Sequence, residues 1–310
     1  MKKTFTILSL ALLFITAKAQ NDTTQWNTGG DVGVNFSQVG FTNWAQGGQN
    51  SVSGLGFLHL HANMKKGDWA WDNFANFEYG LIQQADEIVK KSDDLLEFGT
   101  KIGHRASEFW YYTASASFKS QFTKGYDYNK STDFYISNFM APAYIFAGIG
   151  MDYKPNDNFS LYLSPITMKM IVVNDDTLAY YGAFGVQKEE IGENGELIHY
   201  EKTRLEAGAY LKFLYKKEIF KNVNFLTNLE LYSNYLEDPQ NVDVDWKIEL
   251  VMKVNNFINA SIKTHLIYDD NVDIATEHTD ANGGTYFTYG PKTQFKEAIA
   301  VGLIFKFGGQ

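Results

Sequence analysis

His59 and His61 stand two residues apart, so on a β-strand their imidazoles share one face. Imidazoles so placed can bind a metal, and Glu78 on the next segment could join them. Spacing fixes no third ligand, and two polar side chains lining a wet interior fit the same pattern. No metal or other cofactor is therefore expected. Charge is the richer feature. Lys101, Lys119, Arg204, Glu206, Lys212 and Glu230 recur at every second position of otherwise apolar segments. Asp245, Lys247, Glu249, Lys263 and His265 do the same further on, and Glu297 is expected to face the same way. With His59, His61 and Glu78 they form a candidate lumen lining of interleaved sign. Two chemistries stay open for it. A ring of charge can set ion preference, and a salt-bridged interior can close a barrel of intermediate size.

Hydrolytic chemistry needs a nucleophile, a base and an orienting group within reach. The six histidines are His59, His61, His104, His199, His265 and His278, and none falls beside a recognisable serine motif. His265 follows Ser261 on one strand face, but four residues along a strand span about 13 Å, beyond hydrogen-bond reach. No catalytic residue is assigned. Asn174-Asp175-Asp176 and Asp269-Asp270-Asn271 carry oxygen ligands that suit calcium, but neither matches the twelve-residue calcium loop, and solvated acidic loops are the simpler reading. The segment Phe41–Ser51, with Trp44 and Gly47-Gly48, reads as a surface loop, with inward folding as a plug the alternative.

These residues need strands to position them. Between 242 and 254 the even positions Val242, Val244, Trp246, Ile248, Leu250, Met252 and Val254 are all apolar, while Asp243, Asp245, Lys247, Glu249 and Lys253 alternate with them. A strand sends the two sets to opposite faces. The same alternation runs through 204–216, 223–234, 258–268 and 298–307. Noisier strands are expected near 29–38, 51–65, 69–84, 94–105, 109–122, 139–154 and 159–173. In the last of these Phe159, Leu161 and Leu163 are in step until Pro165, where Ile166, Met168 and Met170 take over the phase. A proline with a phase slip predicts a bulge.

The count is twelve, even as in single-chain outer-membrane barrels. Connections after even strands are short, such as Lys66-Gly67-Asp68 and Asn255-Asn256, and those after odd strands are mostly long, such as 123–138, 174–203 and 269–295. Trp69, Trp71, Trp110, Tyr153, Phe159, Tyr215 and Phe257 gather beside the short turns, as in an interfacial girdle. A soluble sandwich would alternate too, but would not sort its loops by length. The expected fold is thus all-β: one antiparallel up-and-down transmembrane barrel, with short periplasmic turns and long extracellular loops.

Composition agrees. The 310 residues contain 24 Phe, 19 Tyr and 6 Trp, which argues against disorder. The absence of cysteine excludes a disulfide scaffold, a thiolate zinc site, a cysteine nucleophile and an N-terminal cysteine lipid anchor. An acidic balance gives no footprint for nucleic acid. Lys2-Lys3, the apolar run Phe5–Ile15 and Ala17-Lys18-Ala19 form a signal-peptide pattern. Cleavage after Ala19 would leave a barrel domain of 20–310 and take the formal charge from −9 to −12.

Asn35-Phe36-Ser37-Gln38, Thr42-Asn43-Trp44-Ala45-Gln46-Gly47-Gly48, Ala141-Pro142-Ala143-Tyr144, Asp152-Tyr153-Lys154-Pro155-Asn156, Ser164-Pro165 and Tyr268-Asp269-Asp270 resemble a family of uncharacterised outer-membrane barrels of flavobacterial-type Gram-negative envelopes, a domain of unknown function. The resemblance implies an envelope barrel and supplies no activity. Phe307 resembles the final aromatic recognised by the barrel-insertion machinery, although Gly308-Gly309-Gln310 trails it. The expected function is a small-solute pore or envelope-structural barrel with a charged lumen. The alternatives are a membrane-embedded lipid hydrolase and a barrel subunit of a larger envelope complex. Expected partners are outer-membrane lipid, lipopolysaccharide and the insertion machinery, with other envelope subunits open. Both termini would lie in the periplasm. Carbonate extraction of membranes should leave the protein in the pellet, with heat-modifiable electrophoretic mobility; release into the soluble fraction would refute the barrel in membrane.

Overall fold

The computed structural model describes residues 24–41, 49–85, 87–128, 134–192, 196–280 and 283–308. The expected signal peptide, the motif Thr42–Gly48 and the trailing Gly309-Gln310 lie outside them. Twelve antiparallel strands close into a barrel. They are β1 (Gln25–Val39), β2 (Ser51–Lys66), β3 (Trp69–Gln84), β4 (Lys90–Arg105), β5 (Trp110–Ser120), β6 (Ala143–Asn156), β7 (Phe159–Val172), β8 (Thr203–Phe220), β9 (Val223–Asn234), β10 (Asp243–Lys253), β11 (Ile258–Tyr268) and β12 (Gln294–Gly308). Each pairs with its sequence neighbours, and β1 pairs with β12 through Gly29–Phe36 against Val301–Gly308. The expected twelve-strand order is therefore observed, with ends shifted by a few residues. β1 starts at Gln25 rather than near 29 because Gln25–Thr28 pair with Ala62–Lys65.

The turn chemistry explains the tight end. Gly67 and Asn222 take the left-handed backbone, with φ of 56° and 65°, which short hairpin turns demand. Both described chain ends lie beside these turns. The opposite end carries the long connections, three of which hold small hairpins of their own, 125–126 with 135–137, 190–191 with 197–198, and 273–279 with 285–291. The 173–202 connection also builds a compact apolar cap. Leu178, Ala179 and Val186 pack with Ala141, Ile171 and Val173, with Tyr135, Tyr144 and Tyr200 around them. A short helix, α1 (Asp176–Tyr180), anchors this cap through Asp175 at its N-cap. The Asp175 carboxylate accepts from the amides of Thr177 and Leu178, from Tyr135 Oη at 3.1 Å and from Asn138 Nδ2 at 2.9 Å. Burial alone would raise its pKa, but these donors outweigh burial and hold it below the usual carboxylate range.

Pro165 sits in a bulge. Gly208 and Tyr210 face Thr167 and Ser164, so β7 carries one residue more than β8 over this stretch. The same extra residue appears against Ile149 and Met151 of β6. Ser164 Oγ fills the gap by donating to the carbonyls of Ile149 and Ile166, at 2.8 and 3.0 Å, the latter alternative to the former, while accepting from Thr167 at 2.7 Å. Before the bulge Ser160, Tyr162 and Ser164 point inward; after it Thr167, Lys169 and Ile171 do, and all six are buried or nearly so.

The outer face is apolar and exposed, as Val34, Phe36, Ile166, Ile299, Val301 and Leu303 illustrate. Aromatic rings meet edge to face or tilted in a chain near the turns: Trp110 with Tyr153 at 5.0 Å, Tyr153 with Phe159 at 5.9 Å, Phe159 with Phe213 at 5.3 Å and Tyr215 with Phe225 at 6.4 Å. Two outward indoles satisfy their N–H groups locally: Trp71 donates to Thr100 Oγ1 at 2.8 Å and Trp246 to Thr227 Oγ1 at 2.9 Å. In a medium without water an unmet donor would cost several kcal/mol, on the order of 4–8 in hydrocarbon.

Two outcomes follow for measurement. In liposomes, Leu250→Arg should lower unfolding stability in urea by roughly 2–4 kcal/mol, because it puts a charge on the outward face, whereas Lys247→Ala should be mild; the reverse order would mean a register off by one. Asp175→Ala should cost the cap about 0.5–2 kcal/mol, read as faster limited proteolysis within 173–202 with the barrel band intact.

Candidate functional site

The interior is built by parity. Positions opposite the apolar face of each strand project inward, and their partners come both from neighbouring strands, as Lys212 with Glu230, and from strands across the ring. Lys119 of β5 reaches Asp245 of β10, Nζ to Oδ2 2.6 Å, although the two strands are five steps apart around twelve. Asp245 Oδ1 also meets His265 Nε2 at 2.8 Å. Lys169 of β7 lies 2.8 Å from Asp243 Oδ2 and 3.4 Å from Glu206 Oε2, with its ammonium over the Tyr232 ring. Arg204 extends the cluster to the loops: Nε is 3.1 Å from Glu206, Nη2 donates to Glu237 at 2.6 Å and Nη1 to the Gly185 carbonyl at 3.1 Å. Glu206 and Lys169 are nearly sealed from solvent.

A middle layer centres on Glu230, which accepts from Lys212 at 2.7 Å, Tyr210 Oη at 2.8 Å and Asn228 at 3.1 Å. Lys212 also lies over the Phe74 ring, on the far wall. Phe74 in turn covers Gly99, where any β-carbon would collide with the ring. Lys263 pairs with Glu249 at 3.3 Å and covers Phe57. Lys247 sits between Asn228 and His265 in the ladder. Toward the turns, Lys101 meets Asp152 at 2.5 Å and Ser160 at 2.9 Å, and Lys154 meets Asp72 at 2.5 Å.

His59 is held between two carboxylates, Asp31 Oδ2 at 3.2 Å from Nδ1 and Glu78 Oε1 at 3.1 Å from Nε2. His61 faces Asn27 instead, at 3.3 Å. The two imidazoles thus have separate partners, and no group of three potential metal ligands converges among the described residues. The loop carboxylates bond to groups of the loop end of the barrel. Asp270 accepts from Asn241 at 2.5 Å and from Tyr268 at 3.2 Å, and Asp269 from the Asn271 amide at 2.9 Å.

One expected position is corrected. Glu297 shares the outward parity of Ile299 and Val301, and Lys296 is the inward residue, opposite His265 in the ladder and ion-paired with Asp93 of β4. The sequence pattern already contained this, since 297 and 299 differ by two. Asp31, Asp72, Asp93, Lys154 and Lys296 complete the network and were not singled out from sequence. Parity alone places them inside; their partners across the ring leave no mark in a one-dimensional period.

What the arrangement does chemically is to neutralise itself. Isolated buried charges would be expensive, and pairing across the ring with added hydrogen bonds is the condition under which they are tolerated. Around Lys169 and Glu206 the interior side chains are almost sealed, while Lys119 and His59 keep 32% and 27% of their side-chain surface accessible.

Among solved structures the chain is similar to an outer membrane channel from Pseudomonas putida F1, at 11% identity and a TM-score of 0.39, covering 93% of this chain and 99% of that one. It is also similar to the translocator domain of the autotransporter NalP from Neisseria meningitidis, at 8% identity and 0.36, covering 98% and 95%. The outer membrane channel DcaP of Acinetobacter baumannii follows at 9% and 0.30, covering 94% and 99%. No curated protein matches the sequence significantly. Residues 36–126, from the last part of β1 through β5 and into the loop beyond, match the model of a family described as a protein of unknown function (DUF3078).

Proposed function

We propose that the chain is an integral outer-membrane barrel of a Gram-negative envelope, with both termini periplasmic, whose interior is closed to solutes at rest by ion pairs that cross it. The observation that carries this reading is the Lys119–Asp245 bridge between nearly opposite walls, at 2.6 Å. It favours the salt-bridged interior over the selectivity lining. A closed barrel of this kind serves the envelope as a structural element, or passes small solutes only when the bridges part. The membrane setting is supported by the apolar outer face, the aromatic chain beside the turns and the satisfied N–H groups of outward Trp71 and Trp246. Cleavage after Ala19 belongs to the same proposal, as do contacts with outer-membrane lipid and lipopolysaccharide and handling by the insertion machinery.

Planar-bilayer recording is the direct test. The native chain should show no steady porin-like conductance at neutral pH. Lys119→Ala combined with Asp245→Ala should raise the frequency or size of openings several-fold, because it removes the bridge without leaving one charge buried alone. Steady conductance by the native chain, unchanged in the double variant, would refute closure.

A further inference from the structure

Six strands run toward the short turns: β2, β4, β6, β8, β10 and β12. Each carries an inward cation within its last five residues, namely Lys65, Arg105, Lys154, Lys216, Lys253 and Lys306, and β4 carries a second, Lys101, which is paired with Asp152. Their inward direction follows from the ladder. Lys65 pairs with inward Ala70, Arg105 with Tyr111, Lys216 with Leu226, Lys253 with Asn259 and Lys306 with Asp31, while Lys154 bonds inward Asp72. The six strands that leave this end bring no cation to the same level, and their inward acids there are Asp72, held by Lys154, and Asp31, which faces Lys306 in the ladder and meets His59 at 3.2 Å.

Three of the six have partners. Lys154 holds Asp72, Arg105 lies 3.6 Å from Asp68 of the first turn, and Lys65 reaches Asp157 of the third turn at 2.7 Å. The contact of Lys65 with Asp157 draws the third turn toward β2, from the other side of the mouth. The Asp157 carboxyl is held below its usual range, first by the hydrogen bond from Lys65 and further by the charges of Lys65, Lys154 and Lys216. Lys216, Lys253 and Lys306 are exposed and have no ion-pair partner among the described residues. They stand on alternate strands of one arc, β8, β10 and β12. Of the other inward acids near the arc, Glu218 is engaged with the Asn222 amide at 2.7 Å and Glu249 with Lys263 at 3.3 Å. The long-loop end has the opposite character, with Glu237, Asp238, Asp269 and Asp270 clustered at the rim.

We propose that the short-turn mouth is a binding site for a multivalent oxyanion, a chain or cluster of phosphate or carboxylate groups, seated on the Lys216–Lys253–Lys306 arc. A ring repeated on every second strand recognises several spaced negative groups better than one compact ion. Its cations face the aqueous mouth, so the ligand comes from that side and not from the bilayer around the girdle. The inference uses the barrel geometry alone and holds whether or not the interior opens.

The test is calorimetric titration of inorganic tripolyphosphate into the full-length chain folded in zwitterionic detergent. Saturable binding that weakens steeply with salt is expected, and Lys216→Gln/Lys253→Gln/Lys306→Gln should weaken it tenfold or more. Lys216→Arg should keep it, and Glu237→Gln/Asp270→Asn at the far end should leave it unchanged. Heat-modifiable mobility confirms that each variant is folded; if the triple variant fails this check, the three single Lys→Gln variants replace it and should each weaken binding. No binding by the native chain, or equal binding by folded lysine variants, overturns the site. A second arm uses vesicles of phosphatidylglycerol against phosphatidylcholine. If the lysine variants lose preference for phosphatidylglycerol yet bind tripolyphosphate as before, the arc is a lipid contact and the proposal fails. Because this readout needs no conductance, it stands or falls separately from closure.

Discussion

The structure depends on one pairing, that of β1 with β12. Eight residues of each, Gly29–Phe36 and Val301–Gly308, join the two ends of the sheet. Without it the outer surface would present two rows of unmet amide and carbonyl groups, tolerable in water and not in hydrocarbon. With it, every strand has two neighbours, and the outward face can be apolar from one aromatic layer to the loops. The inward face is then enclosed, so its composition becomes a problem of charge and volume. Small residues answer the volume problem at the seam itself, where Gly29, Gly33 and Gly302 let the two strands and Phe57 come close.

Enclosure explains why the interior carries so many ions and so few loose ones. A charge placed there loses water, and the nearest replacement is a side chain from another wall. Lys169 illustrates the solution, with two carboxylates and a tyrosine face around one ammonium. Arg204 carries the network out to the loops, tying the Gly185 carbonyl and Glu237 to the same buried Glu206. The cap of the 173–202 connection packs on Ile171 at the end of β7, so loops and barrel pack as one body there.

Much of this was legible in the amino-acid order. Period-two alternation located all twelve strands, and Pro165 marked its bulge, because strand faces and proline's missing amide are local properties. Strand ends were less legible: Gln25–Thr28 joins β1 only because Ala62–Lys65 is there to receive it. The inward residues could be read by parity, and the misplaced Glu297 was an error of parity rather than a hidden effect. Glu78 could be set beside His59 on the next strand, as observed, but the pairs across the ring could not be read. Lys119 and Asp245 are 126 residues apart, and nothing in either segment announces the other. Their meeting is fixed by ring size and stagger, which emerge only when the last strand finds the first.

The bulge at Pro165 has a consequence for how such a strand can change length. On either side of it β7 keeps a correct inside and outside, yet the two halves are out of phase by one residue. The extra residue acts as a frame correction. A single deletion or insertion elsewhere in β7 would shift one half against its neighbours and exchange greasy and charged side chains, unless the bulge were lost or doubled to compensate. Inheritance of this segment is thus constrained in steps of two, with Pro165 as the one place where an odd step is already absorbed.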